Sequence, residues 1–160
     1  DHHEGLGAAR RAVFGSIPWQ RCQFHLQQNA GAYVPRQSMK AEVAADIRAI
    51  FNTYDRKAAE EGLQTIVQKY ASSAPRLSTW LEENLPEGFT VFDFPLEHRR
   101  SIRTTNSLER VNKEIKRRTR VVGVFPNEAS CLRLVTALLM ETSEDWQIGK
   151  RYCFAKSDEC

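Results

Sequence analysis

Long apolar runs are missing from this 160-residue sequence, and none approaches the roughly 20 residues that a membrane helix requires. The opening Asp1-His2-His3-Glu4-Gly5 has neither the basic flank nor the apolar stretch of a secretory signal. No membrane partner and a cytoplasmic setting are therefore expected. Cysteine is sparse. Cys22, Cys131, Cys153 and Cys160 are spread unevenly over a chain too large to need covalent stapling, so a disulfide framework is not expected and reduced thiols are. Internal repeats and low-complexity tracts are lacking too, which sets solenoids and biased linkers aside.

What the sequence does contain is an ordinary globular composition. Hydrophobic residues make up 41% and charged residues 27%, far from the profile of a disordered chain. The length allows one domain with a real core, or one small domain with an inserted subdomain, and not two large ones. Net charge is only +3, but residues 99 to 120 hold nine Lys or Arg against two Glu. That window is +7 and the remainder −4. A cationic segment on a near-neutral body suits a polyanion, since each phosphate neutralised releases condensed counterions. A solvated helix face is the plainer alternative.

Periodicity reads mostly as helix. Leu6, Ala9, Val13 and Phe14 recur at near-helical spacing until Gly15 and Pro18 stop them. Trp19 to Leu26 (WQRCQFHL) is short, contains aromatics and is bounded by Pro18, which predicts a buried strand of about six residues. From Gln27 to about Leu85 the stripes are helical: Val43, Ile47, Ile50 and Phe51 on one, Leu63, Ile66, Val67 and Tyr70 on the next. Ser72-Ser73-Ala74-Pro75 breaks the run, a short helix with Leu77, Trp80 and Leu81 ends near Pro86-Glu87-Gly88, and a connector with Phe89, Phe92 and Phe94 follows. Thr104-Thr105-Asn106 then opens a helix lined by Leu108, Val111 and Ile115, closed by Gly123. Pro126-Asn127-Glu128 begins the last one, with Leu132, Val135, Leu138 and Leu139 facing inward. The fold class expected is α/β but mostly helical.

Several residues could carry chemistry. Glu109 follows Asn106 by three, which by local rules makes Asn106 an N-cap and Glu109 its capping-box partner. Yet Asn112, Lys113 and Lys116 share the helix face of Glu109, at three, four and seven residues beyond it. A carboxylate in such a stripe could ligate a metal beside a phosphate. Cys22 and His25 supply half of a zinc site, but a structural zinc wants four ligands and no second pair stands at a convincing spacing. Packing, with a hydrogen-bonded imidazole, accounts for them better. By spacing alone Asp1 is a solvated terminal residue.

The strings Asp1-His2-His3-Glu4-Gly5-Leu6, Trp19-Gln20-Arg21-Cys22-Gln23-Phe24-His25, Arg103-Thr104-Thr105-Asn106-Ser107-Leu108-Glu109-Arg110-Val111-Asn112, and the run from Arg117 to Glu128 resemble, in this order, the mutator-type transposases of bacterial insertion sequences. The resemblance extends from Asp1 to about Tyr152. It implies a partial ribonuclease H-like core interrupted by an all-helical insertion, with an Asp, Asp, Glu triad. Asp1 matches the second Asp, Glu109 the Glu, and Cys22 with His25 a Cys-x-x-His signature that supports the fold near the site. The organisation implied is a core segment over residues 1–26, the insertion over 27–97, and a core return over 98–160.

The resemblance also implies metal-dependent cleavage and strand transfer at insertion-sequence ends. Two Mg²⁺ (or Mn²⁺) ions would be held by Asp1, Glu109 and a further Asp. DNA, both element ends and target, is the implied partner. Arg103, Asn106, Asn112, Lys113, Lys116, Arg117, Arg118 and Arg120 are the candidate contacts, with a homo-oligomer forming during transposition and association with the nucleoid when DNA is bound. The family's first Asp belongs upstream of Asp1, so the 160 residues alone are expected to be inactive. A non-catalytic DNA-binding module, or a decayed remnant, is the competing reading.

Overall fold

The computed structural model describes residues 4–15 and 17–148. Every regular element among these residues is helical, and no strand forms. Contacts divide the chain into two units, Asp1–Thr104 and Thr105–Cys160.

In the first unit, α1 covers Glu4–Val13 and α2 covers Gln23–Ala30. The strand expected over residues 19–26 is therefore corrected. Its apolar content is real, since Cys22 and Leu26 are buried. However, Gln23, Leu26 and Ala30 recur at helical spacing on the buried face of α2. The sequence QFHLQQNA contains no β-branched residue to favour extended backbone. Only the approach is extended, with Cys22 at φ −61°, ψ 116° as the N-cap. With that strand gone, the described residues contain no sheet of a ribonuclease H-like core, and the mostly helical part of the expectation is what stands.

Helix α3 (Lys40–Phe51) buries Val43, Ile47, Ile50 and Phe51, and α4 (Arg56–Tyr70) buries Ala59, Leu63, Ile66 and Tyr70, as their stripes predict. The Asp55 carboxylate caps α4 by accepting the Ala58 N–H at 2.8 Å. Pro75 opens α5 (Pro75–Asn84), where its missing N–H costs nothing. Two 3₁₀ turns follow, Leu85–Gly88 and Thr90–Asp93, then the short α6, Leu96–Ile102. Leu26, Ile47, Leu77, Leu81, Leu85 and Phe89 are the largest fully buried side chains, and burying each such group stabilises by about 1.5–3 kcal/mol.

The segment before α2 is tied to the 3₁₀ turns. Arg21 N–H donates to Glu87 O (2.8 Å), and Gln23 Nε2 and Gln20 Nε2 donate to Gly88 O (2.9 and 3.2 Å). Gln20 Oε1 accepts Val91 N–H at 2.7 Å. Gly88 is required here by packing, because a Cβ on it would meet Leu26 Cδ1 at 2.8 Å and Phe51 Cε1 at 3.0 Å. Arg21, only 3% exposed, keeps its charge satisfied through Glu87 (2.6 Å) and Asn84 (3.2 Å).

The second unit contains α7 (Asn106–Val122) packed against α8 (Glu128–Ile148). Gly123 ends α7 at φ +75°, a conformation only glycine adopts without strain. The expectation that Leu132 and Leu139 face inward is corrected: they are 63% and 44% exposed, and neither helix has a buried residue. Two helices alone cannot enclose an apolar stripe.

Candidate nucleic-acid interface

Helix α7 starts at Asn106 with Thr105, not Asn106, in the N-cap position. The Thr105 side chain makes no cap to a backbone N–H; its hydroxyl donates instead to Glu109 Oε1 at 2.8 Å. The expected reciprocal capping box between Asn106 and Glu109 is therefore replaced by a side-chain pair one residue out of that register, and Glu109 remains exposed on the first turn.

Beyond Glu109 the helix presents cations at every turn. Glu109, Asn112, Lys113, Lys116, Arg117 and Arg120 line one groove of about 810 Å³, so the stripe inferred from spacing exists as a surface. Arg110, Lys113, Lys116 and Arg120 make no hydrogen bond or ion pair among the described residues, which leaves them available. Arg117 and Arg118 differ. Arg117 Nε and Nη2 donate to the two Glu114 oxygens (2.8 and 2.7 Å), and Arg118 Nε donates to Glu114 Oε1 at 2.8 Å. Hydrogen bonds from Arg117 and Arg118 push the Glu114 carboxyl down to about 2, and Glu114 in turn raises Arg117. Glu114 thus competes with any phosphate for these two guanidiniums.

The remaining candidates lie elsewhere. Arg103 belongs to the first unit, where its Nε donates to Gln23 Oε1 (2.8 Å) and its Nη2 to Asn52 Oδ1 (3.2 Å) and Phe51 O (3.3 Å). Asn106 is exposed at the start of α7. Cys22 and His25 sit a turn apart at the head of α2 and so share a helix side, contrary to the opposite faces that a strand would give them. Asp1 lies outside the described residues. Among those described, no three His, Cys, Asp or Glu gather as a metal site would require. Glu109 is a hard oxygen donor of the right chemistry, but one carboxylate is not a binding site. Arg99 and Arg100, counted in the charge window but not named as candidates from the sequence, line a cavity of the first unit.

No helix among the described residues is long and apolar enough to cross a membrane. The family model described as "Transposase, Mutator family" matches residues 1–149. The transposase for insertion sequence element IS406 of Burkholderia multivorans is 57% identical over 152 residues, which cover 95% of this chain and 39% of that protein. The transposase for ISRM5 of Rhizobium meliloti is 40% identical, covering 95% and 38%. The transposase for IS256 in transposon Tn4001 of Staphylococcus aureus is 32% identical, covering 94% and 39%. The chain therefore spans about two fifths of the length of these relatives, and it belongs to the mutator family of transposases.

Proposed function

We propose that this chain is part of a DNA transposase in which α7 both grips the DNA backbone and supplies a catalytic carboxylate, Glu109. The observation that carries this reading is the groove of α7, where an exposed carboxylate heads a row of cations, of which Lys113, Lys116 and Arg120 have no ion pair among the described residues. Lys113, Lys116 and Arg120 contact phosphates without reading sequence, which positions the scissile strand. Asn112 adds an amide to the same groove, Asn106 offers another at the start of the helix, and Arg103, in the first unit, is a further phosphate contact. Glu109, with Asp1 and an Asp from outside this sequence, would hold Mg²⁺ (or Mn²⁺), two ions in the complete enzyme. Such ions supply Lewis acidity for in-line displacement at phosphorus. The role of this chain's own residues is to place the phosphodiester and to offer the Glu109 oxygens beside it. Thr105 orients that carboxylate by its hydrogen bond.

Three of these expectations are part of the same proposal: that the partners are element-end and target DNA, that copies associate during transposition, and that the protein works in the cytoplasm at the nucleoid. The 160 residues alone, with one described carboxylate of the set, do not cleave DNA. In the longer parent protein, Glu109→Gln abolishes Mg²⁺-dependent cleavage of element-end DNA while DNA affinity stays within about twofold. A Glu109→Gln parent that still cleaves would overturn the assignment and return Glu109 to a helix-start role.

A further inference from the structure

Between the end of α3, the 3₁₀ turn Thr90–Asp93 and α6 lies a pocket of about 340 Å³. Arg99, Arg100 and Arg103 all line it, together with Asn52 and an apolar wall that includes Phe92 and Leu96, and no carboxylate is among its lining residues. Two of the three guanidiniums are fixed. Arg99 donates to the carbonyls of Phe94 (2.8 Å), Tyr54 (2.5 Å) and Phe92 (3.0 Å), and its guanidinium lies 5.5 Å from the Phe92 ring centroid. Arg103 is held by Gln23, Asn52 and the Phe51 carbonyl. Gln23 is itself anchored to Gly88 O. Arg100 is exposed and makes no hydrogen bond or ion pair among the described residues.

The acceptors around Arg99 and Arg103 are neutral carbonyl and amide oxygens, so their charges are solvated by dipoles and not cancelled. Like charges sharing one cavity repel, and an anion between them removes that cost. The Arg99 and Arg103 side chains are already in place, so only Arg100 has to be ordered on binding and the cost in conformational entropy is small. Asn52 accepts from Arg103 through Oδ1, which leaves its amide N–H groups as further donors. Planar guanidiniums suit the paired oxygens of a phosphate, and the apolar wall suits the sugar beside it.

We infer that this pocket of the first unit is a second DNA-backbone site, taking one phosphodiester between Arg99, Arg100 and Arg103. It rests on the reading that the chain binds DNA, but it shares no lining residue with the α7 groove. The test uses the 160-residue chain with a short duplex and, separately, inorganic phosphate. Duplex addition is expected to shift the Nε–Hε NMR signals of Arg99 and Arg103. Arg100→Gln should reduce those shifts and make the salt dependence of duplex affinity shallower by about one in log–log slope. The double substitution Lys113→Gln, Lys116→Gln should leave the two arginine shifts in place while weakening binding. Failure to bind duplex at low salt would sink both the DNA reading and the pocket. Binding that responds to the α7 substitutions but not to Arg100→Gln would overturn the pocket alone. So would arginine signals that move with inorganic phosphate and not with duplex.

Discussion

Substituting Glu114 by Gln should tighten DNA binding, which is the opposite of what removing a side chain from an interface usually does. Glu114 lies in the cationic groove of α7 and holds Arg117 and Arg118 through contacts of 2.7–2.8 Å. With the carboxylate gone, both guanidiniums are free for phosphates. Each additional phosphate contact adds about 0.9 to the salt slope on duplex DNA, so two contacts add up to about 1.8. Between 50 and 200 mM salt that difference corresponds to about a tenfold larger loss of affinity for the variant than for the parent chain. The assay is fluorescence anisotropy of the 160-residue chain on duplexes of unrelated sequence, titrated with salt, with circular dichroism to check that α7 persists. A steeper slope and higher affinity at low salt are expected, independent of sequence. An unchanged or shallower slope would refute the idea that Glu114 competes with DNA. In the complementary variant, Arg117→Gln with Arg118→Gln, the slope should flatten by less than two full contacts, because in the parent chain these residues are partly spent on Glu114.

Other expectations follow from the core. Gly88→Ala should destabilise the chain by about 1–3 kcal/mol through overpacking against Leu26 and Phe51; a loss below about 0.5 kcal/mol in urea unfolding would show that the site has slack. Adding Leu26→Val, which removes the clashing methyl, should make the double substitution less costly than the sum of the two. Tyr70 is pushed up to about 12 by burial and by its 2.6 Å hydrogen bond to Asp46. Burial alone would raise the Asp46 carboxyl, but hydrogen bonds from Lys69 and Tyr70 outweigh it and hold Asp46 low. Because the Tyr70 value is raised on folding, its contribution is fully present below pH 10 and is lost as pH rises toward 12. Urea midpoints should fall across that window and fall less in Tyr70→Phe, whereas equal pH profiles would remove Tyr70 as the cause.

The helical stripes of α3, α4 and α5 were legible because their apolar residues repeat at three and four along uninterrupted runs, and burial follows that repeat. The segment from Trp19 to Leu26 misled because a short apolar run has no decisive period; its helix is identified only when Ala30 is counted with Gln23 and Leu26. Helix α6 was illegible, since LEHRRSI is too short and too charged to show a face. The cations of α7 could be placed on one side from spacing alone. Which of them are spent on Glu114 depends on rotamers, and the fixing of Arg99 and Arg103 depends on carbonyls from residues about 50 positions away in the chain, which no local pattern reveals. The capping register also escaped, because Thr105 and Asn106 are both good caps and the choice between them is a matter of backbone geometry.

The most direct test of the central claim, that Glu109 acts on DNA and not merely at the start of α7, is to compare Glu109→Gln with Thr105→Val in the longer parent protein. Both break the 2.8 Å hydrogen bond between the two side chains or weaken it, so a Glu109 that acts only through that bond predicts similar, modest losses for both. The account predicts that element-end cleavage with Mg²⁺ disappears in Glu109→Gln and persists at a reduced rate in Thr105→Val, with duplex affinity near the parent value in each. Equal cleavage by the two variants would contradict it.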